Sequence, residues 1–229
     1  MAIHRLRRGL ARAVIAGPPS RPRAAIVQAY SLPQEPAAFG DDPVVIWSLL
    51  RDLDGWTSVH VALALGPPLA NLIEAATGRP RELSQEVYSI LDQPVIPWTH
   101  PAVRRLTADD LPLLEAATAD LGMHGWRFGS AAALLREGFA AGAVVDDRLV
   151  SVAFTSARAD RHAEVGIVTT EPGRGHGFST AAAALVCADI QRGGQTAVWS
   201  TSEDNLASRR VGDKLGFVQV SRRVYVNPL

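Results

Sequence analysis

The stretch from Arg174 to Ser179, Arg-Gly-His-Gly-Phe-Ser, has residue types suited to holding an anion. It lies between an apolar run at 163–168 and a segment at 178–190 in which apolar residues recur at helical spacing. A helix start has unpaired backbone N–H groups and about half a positive charge, and both attract phosphate. Gly175 and Gly177 let the backbone approach a ligand closely. Taken alone, the stretch also fits a tight turn that binds nothing.

A second segment, residues 205–217, reads Asn-Leu-Ala-Ser-Arg-Arg-Val-Gly-Asp-Lys-Leu-Gly-Phe. The two segments, in this order and about 30 residues apart, resemble the two signatures of the GNAT superfamily of N-acetyltransferases. These signatures are Arg-x-x-Gly-x-(Gly or Ala) after a strand, and an asparagine followed by a helix that ends in Leu-Gly-Phe. Ser179 departs from the first signature only by adding a hydroxyl at its last small position.

Alternating strand-like and helix-like runs over 102–229 predict an α/β fold, a mixed twisted sheet with helices on both faces. The resemblance covers this range and implies the GNAT fold. We divide the chain into a basic segment (1–23), a small α/β domain (24–95), a linker (96–101) and the GNAT domain (102–229). Val168-Thr169 and the extra domain look most like the glycine N-acyltransferase-like branch, whose amino-terminal half is a degenerate GNAT-like domain.

Composition limits the function classes. Apolar residues make up 47% of the 229, with a single cysteine and a net charge of zero. These values predict a cytoplasmic globular protein without membrane or nucleic-acid partners. The six histidines lack metal-ligand spacing, so no metal is expected. One lysine against 22 arginines indicates a bacterial source.

The first 34 residues hold six arginines and no acid. This basic start suits contact with a membrane surface, an acidic partner or nucleic acid. It equally suits a short helix followed by a Pro-rich linker, which we favour. A homodimer also stays open as an assembly state.

Acyl transfer to an amine requires the neutral amine. Deprotonating a lysine-like amine at pH 7 costs roughly 4–5 kcal/mol, and a terminal α-amine roughly 1–1.5 kcal/mol. Glu164 matches the position where many GNAT members keep a glutamate that acts as a base through water. Its alternative is a solvated carboxylate at a strand end.

The resemblance implies acetyl-CoA as cofactor. Backbone N–H groups near Val168 and Thr169 would hold the thioester oxygen and the pantetheine arm. Asn205 would reach the cofactor arm or the leaving sulfur, as a catalytic and binding residue. The pyrophosphate would lie on the turn and helix start formed by Arg174, Gly175, His176, Gly177, Phe178, Ser179 and Thr180, with the His176 side chain facing solvent.

One departure from the family pattern concerns the general acid. Many members have a tyrosine two residues before the lysine of the second signature, and this chain has Gly212 there. Ser208, one turn after Asn205, or a distant tyrosine such as Tyr225 would replace it, or the thiolate leaves unaided.

The family builds its acceptor site from an early loop, so His124, Trp126 and Arg127 are the predicted substrate contacts. Trp126 equally fits packing against a helix. Three functions follow. The first is acetyl-CoA-dependent N-acetylation of the primary amine of a small molecule, by direct transfer in a ternary complex. The others are peptide or protein N-terminal acetylation and non-catalytic regulatory binding of coenzyme A.

Overall fold

The structure is a computed structural model that describes residues 1–123 and 127–229. It divides into two compact units. Unit 1 consists of Met1, residues 89–201 and residues 205–220, and unit 2 of residues 2–88, 202–204 and 221–229.

The chain first forms the elements of unit 2. Asp42 begins a helix there because its carboxylate accepts hydrogen bonds from the N–H groups of Val44 (2.8 Å) and Val45 (3.4 Å). Gly78, in the left-handed conformation at φ 67°, ends the next helix. The helices are α1 (Ala2–Arg7), α2 (Pro43–Leu50) and α3 (Gly66–Thr77), and the strands are β1 (Ala11–Ala16), β2 (Ala24–Ala29), β3 (Leu32–Gly40), β4 (Val59–Ala62) and β5 (Arg81–Leu91), with a 3-10 turn at Leu63–Leu65.

The following elements are β6 (Val103–Arg105), α4 (Leu111–Ala117), α5 (Ala131–Glu137), β7 (Ala140–Val145), β8 (Arg148–Arg158), β9 (His162–Thr169), α6 (Phe178–Arg192), β10 (Thr196–Ser202), α7 (Leu206–Leu215) and β11 (Val218–Pro228), with 3-10 turns at Ala108–Asp110 and Glu171–Gly173. The tight β7–β8 turn forms at Asp146 and Asp147, both with positive φ, as a two-residue hairpin requires. From the sequence we expect two strands, at 218–220 and 223–226; this expectation is wrong, because one continuous strand, β11, covers both ranges.

Unit 1 has helices on both faces of its sheet, as predicted. Its strands lie in the order β10-β9-β8-β7-β6, with β10 parallel to β9 and the others antiparallel. Adjacent residues of β8 point to opposite faces, so Ala153 packs with α6 and Val152 packs with α4 and α5. Four consecutive buried residues of α6, 181–184, are alanines. Because their side chains are small, the α6 backbone can pack close to the sheet.

Unit 2 has an apolar core between its sheet and helices α2 and α3, built around residues such as Ile26, Ile46, Val61, Leu69 and Val224. Strands β1, β2 and β3 are antiparallel, β4 is parallel to β3, and β11 is antiparallel to β4.

Two stretches of the chain have the same connectivity. Residues 11–91 run through three antiparallel strands, a helix, a strand parallel to the third, a helix and a strand. Residues 140–228 repeat this order from β7 to β11. The smaller α/β unit thus has the same connectivity as residues 140–228.

An ion pair ties α6 to β6 within unit 1. Arg105 donates two hydrogen bonds to the Asp189 carboxylate, Nε to Oδ2 at 2.8 Å and Nη2 to Oδ1 at 2.9 Å, and Arg192 also donates to it. Burial by itself would raise the pKa of Asp189, but the hydrogen bonds from both arginines outweigh it and lower this pKa below 3.8.

Asp189→Asn should reduce the free energy of unfolding by about 1–3 kcal/mol at pH 7, since hydrogen bonds to a charged group are lost. Because the folded-state pKa is depressed, the stabilisation is complete above the ordinary aspartate value of 3.8 and is lost as pH falls through the folded-state pKa. Urea unfolding of the parent and of Asp189→Asn between pH 3 and pH 7 measures the difference in their free energies of unfolding. Asp109→Asn, at an exposed carboxylate, is the control, and an equal effect of both changes would contradict the assignment.

Candidate functional site

Strands β9 and β10 are paired only at their beginnings. The paired residues end at Glu164 and Val198, although β9 continues to Thr169 and β10 to Ser202. On its other side β9 stays paired with β8 as far as Thr169. One edge of the second half of β9 is therefore left without the parallel partner that its first half has.

The direction of the open backbone groups follows from two hydrogen bonds to β8. Thr170 N–H donates to Val150 O at 2.9 Å, and Ser151 Oγ donates to Val168 O at 3.4 Å. Backbone groups alternate sides along a strand, so Val168 directs its N–H toward β8. Ile167 and Thr169 direct theirs toward the open side, where an extended ligand can accept them.

The start of α6 also presents backbone donors. Its first intrahelical bond runs from Ala181 N–H to Gly177 O, at 3.1 Å, and no side chain caps the helix. The N–H groups of Phe178, Ser179 and Thr180 therefore have no partner within the helix, and they carry the positive end of the helix dipole.

Gly175 and Gly177 have positive φ, 81° and 80°. A Cβ at either position would meet no other atom within 4 Å, so both backbones border open space. Left-handed backbone and open space together explain glycine here, because a side chain would be strained and would occupy the room beside the helix start.

These elements line a cleft of about 820 Å³ in unit 1. Its described lining carries three cations and no carboxylate, which suits an anionic ligand. Predicted residues in the lining are Val168, Thr169, Arg174, Gly175, Gly177, Phe178, Ser179, Thr180, Asn205 and Ser208; the others are Leu121, Ile167, Gly173, Ala207, Arg210, Val211 and Lys214.

Sequence reasoning missed Arg210 and Lys214, the other two cations besides Arg174. They lie four residues apart on α7 and so share one helix face. The Lys214 Nζ lies 5.4 Å from the centre of the Trp98 ring. Their spacing is visible in the sequence, but only the placement of α7 beside the cleft shows which face points into it.

The corresponding helix start in unit 2 is closed. There the Asp42 carboxylate accepts hydrogen bonds from the first N–H groups of α2, and Arg23 Nη2 lies 3.5 Å from Asp42 Oδ2. A built-in carboxylate thus occupies the α2 start, whereas the α6 start leaves its first N–H groups uncapped.

Asn205 and Ser208 are joined at the start of α7. Asn205 Oδ1 accepts from Ser208 N–H at 3.1 Å and caps the helix, which leaves the Asn205 amide nitrogen as its donor. Ser208 Oγ accepts from the indole N–H of Trp199 at 3.1 Å. Both residues line the cleft.

Glu164 lies away from the cleft lining. Its side chain is buried and joins three strands: Ser156 on β8 donates to Oε2 at 3.0 Å, and Ser200 on β10 donates to Oε1 at 2.6 Å. The carboxylate is therefore not the solvated strand-end group that was the alternative.

Three other predicted residues that the structure describes, His176, Arg127 and Tyr225, do not join the cleft lining. The exposed His176 ring stacks on Phe178 with ring centres 5.3 Å apart. Arg127 is half-buried in a turn. His124 and Trp126 lie outside the described residues. Tyr225, the distant tyrosine predicted as an alternative acid, stacks on His60 in unit 2 with ring centres 4.4 Å apart.

Other chemistry finds little support. Burial raises the pKa of the Cys187 thiol to about 12, so this side chain is no nucleophile at neutral pH. Within residues 1–123 and 127–229 no cluster of His, Cys, Asp or Glu is placed to hold a metal ion. In that part of the chain, no helix has both the length and the apolarity to cross a membrane.

Comparisons with known proteins agree with this geometry. Residues 112–224 match the family model for GNAT acetyltransferase. No curated protein matches the sequence significantly.

Solved structures show the fold. The chain is similar to a GCN5-related N-acetyltransferase from Kribbella flavida, with 19% identity over 99% of this chain and 93% of that one, at TM-score 0.69. A GCN5-related N-acetyltransferase-like protein from Streptococcus suis is 16% identical over 96% of this chain and 89% of that one, also at TM-score 0.69. A tandem GNAT protein from the clavulanic acid biosynthesis pathway is 18% identical over 95% of this chain and 82% of that one, at TM-score 0.62. The family match identifies residues 112–224 as a GNAT acetyltransferase domain, and the solved structures share its fold.

Proposed function

We propose that this protein is an acetyl-CoA-dependent N-acetyltransferase that acetylates the primary amine of a small molecule by direct transfer in a ternary complex. The observation that carries the proposal is the open, cationic helix start of α6 beside the unpaired edge of β9. Coenzyme A presents a diphosphate followed by an extended amide chain, and these two features match the two kinds of backbone donor in the cleft.

When bound, the cofactor supplies an acetyl group activated as a thioester. The diphosphate would lie on the N–H groups of residues 178–180, with Arg174 adding charge. Ile167 and Thr169 would hold the pantetheine arm or the thioester carbonyl through their open-side N–H groups. Arg210 and Lys214 would neutralise further phosphate charge.

The amine must lose a proton, and Glu164 is the proposed acceptor. Its carboxylate is buried and held by two serine hydroxyls, so proton transfer would run through Ser200 or a bridging water. The same hydrogen bonds also stabilise the junction of three strands, so a test must separate the two roles.

Incubation of the protein with acetyl-CoA and a panel of small amines and peptides, with free thiol as the readout, tests the reaction class. Thiol release with small amines supports the proposal. Release with peptides alone would favour N-terminal acetylation, and tight cofactor binding without release would favour a regulatory role.

Gly177→Val should weaken coenzyme A binding at least tenfold, about 1.4 kcal/mol. The valine side chain enters the space beside the α6 start. Gly194→Val is the matched control, because Gly194 also has positive φ (74°) and open space at Cβ but does not line the cleft. Isothermal titration calorimetry measures both affinities. Equal affinity of the two variants would refute the phosphate-binding role of the turn.

The same titration should give one coenzyme A per chain. The α2 start already satisfies its donors with Asp42, so of these two corresponding helix starts the α6 start is the one open to a diphosphate. A stoichiometry of two would show that the closed turn in unit 2 does not exclude the ligand.

Glu164→Gln should reduce turnover by roughly 10²–10⁴-fold, the range of general-base catalysis. Glutamine is isosteric and retains hydrogen-bonding groups toward Ser156 and Ser200, so the fold should persist. Steady-state kinetics across pH, with circular dichroism and cofactor affinity as checks on structure, measures the effect. A rate and pH profile like those of the parent would show that another group is the base.

A further inference from the structure

Trp199 lies beside Gly212. A Cβ at position 212 would lie 3.7 Å from Trp199 Cδ1 and 3.8 Å from Phe217 Cβ, so any longer side chain would start in contact with the indole. The tyrosine of the family pattern is absent where a tryptophan from β10 packs against α7.

The same indole holds Ser208, one helical turn before Gly212 on the same face of α7. Its N–H donates to Ser208 Oγ at 3.1 Å. An indole N–H is only a donor, so Ser208 Oγ must accept this bond and its own proton is free to point elsewhere. Trp199 itself is 3% exposed, and its ring centre lies 5.4 Å from that of Phe217. This packing fixes the orientation of the indole.

We propose that Trp199 is a positioning residue for acyl transfer: its indole N–H fixes the Ser208 oxygen as acceptor and directs the Ser208 hydroxyl proton into the cleft, toward the leaving sulfur. Ser208 lines the cleft, and its backbone N–H is held by Asn205. This inference rests on the proposed function.

In the reaction the amine nitrogen forms a bond to the acyl carbon, the carbon–sulfur bond breaks, and sulfur leaves with the electron pair. The surplus amine proton goes to Glu164. A thiol has a pKa of about 8.5 and an aliphatic hydroxyl is far less acidic, so Ser208 keeps its proton and donates a charge-assisted hydrogen bond to the thiolate. Water later protonates the sulfur. The indole bond polarises the Ser208 hydroxyl and strengthens its donation.

Trp199→Phe tests the inference, because it keeps an aromatic ring and removes the N–H. In the complex with coenzyme A, the pKa of the bound thiol, followed by ultraviolet thiolate absorbance, should rise by about 0.5–1 unit, and kcat should fall about 3–10-fold. Affinity for desulfo-coenzyme A, which lacks the sulfur, should stay within about twofold of the parent.

Ser208 variants extend the test. Ser208→Ala should raise the thiol pKa at least as much, and Ser208→Thr, which retains a hydroxyl, should raise it by less than Ser208→Ala does. The double variant Trp199→Phe/Ser208→Ala should match Ser208→Ala alone, because the indole acts through the hydroxyl. A merely structural role of the tryptophan would give additive losses.

Trp56→Phe is the matched control: this indole donates to Leu50 O at 2.7 Å within unit 2, so its loss should leave the bound thiol unchanged. Three results would overturn the inference. The first is an unshifted thiol pKa in Trp199→Phe, and the second is additive effects of the Trp199 and Ser208 changes in the double variant. The third is equal weakening of the binding of coenzyme A and of desulfo-coenzyme A by Trp199→Phe. If Trp199→Phe does not fold, parent-like behaviour of Ser208→Ala would overturn it. A parent that binds no coenzyme A would instead refute the proposed function itself.

Discussion

The parting of β9 from β10 after Glu164 and Val198 is the constraint on which the site depends. Paired strands satisfy each other's backbone groups, so a strand that loses its neighbour presents donors and acceptors to whatever enters the gap. The chain reaches the α6 start within a few residues of the end of β9. The unpaired edge and the open helix start therefore lie in one cleft, and an elongated anionic ligand can satisfy both.

The two halves of the chain show how one residue closes such a helix start. Both follow the same order of strands and helices, yet α2 begins with Asp42 and α6 begins after glycines. A carboxylate at an N-cap satisfies the first N–H groups internally and adds a negative charge there. Glycines leave the donors exposed and the space empty. Equal connectivity is thus compatible with an open helix start in one half and a closed one in the other.

Neighbouring strands also determine the polar groups around the cleft. Glu164 is held by serines from β8 and β10, and Ser208 is held by an indole from β10. Each of these contacts joins side chains of two different strands or helices, and the Ser200–Glu164 contact also joins residues 36 positions apart in the sequence. The replacement of a tyrosine by Gly212 is accommodated in the same way, by the packing of Trp199.

Features that depend on near neighbours have local sequence signals: Asp42 before Pro43, the two aspartates of the hairpin turn after Val145, the glycines before α6 and the asparagine before α7. The family signatures are of this local kind, which is why the fold and superfamily could be predicted. Strand β1 was not predicted and β11 was split in two, because edge pairing and strand continuity depend on partners far along the chain. The burial of Glu164, the cations that α7 turns toward the cleft and the Trp199–Ser208 bond were likewise decided only by the tertiary structure, since periodicity shows which residues share a face but not what that face meets.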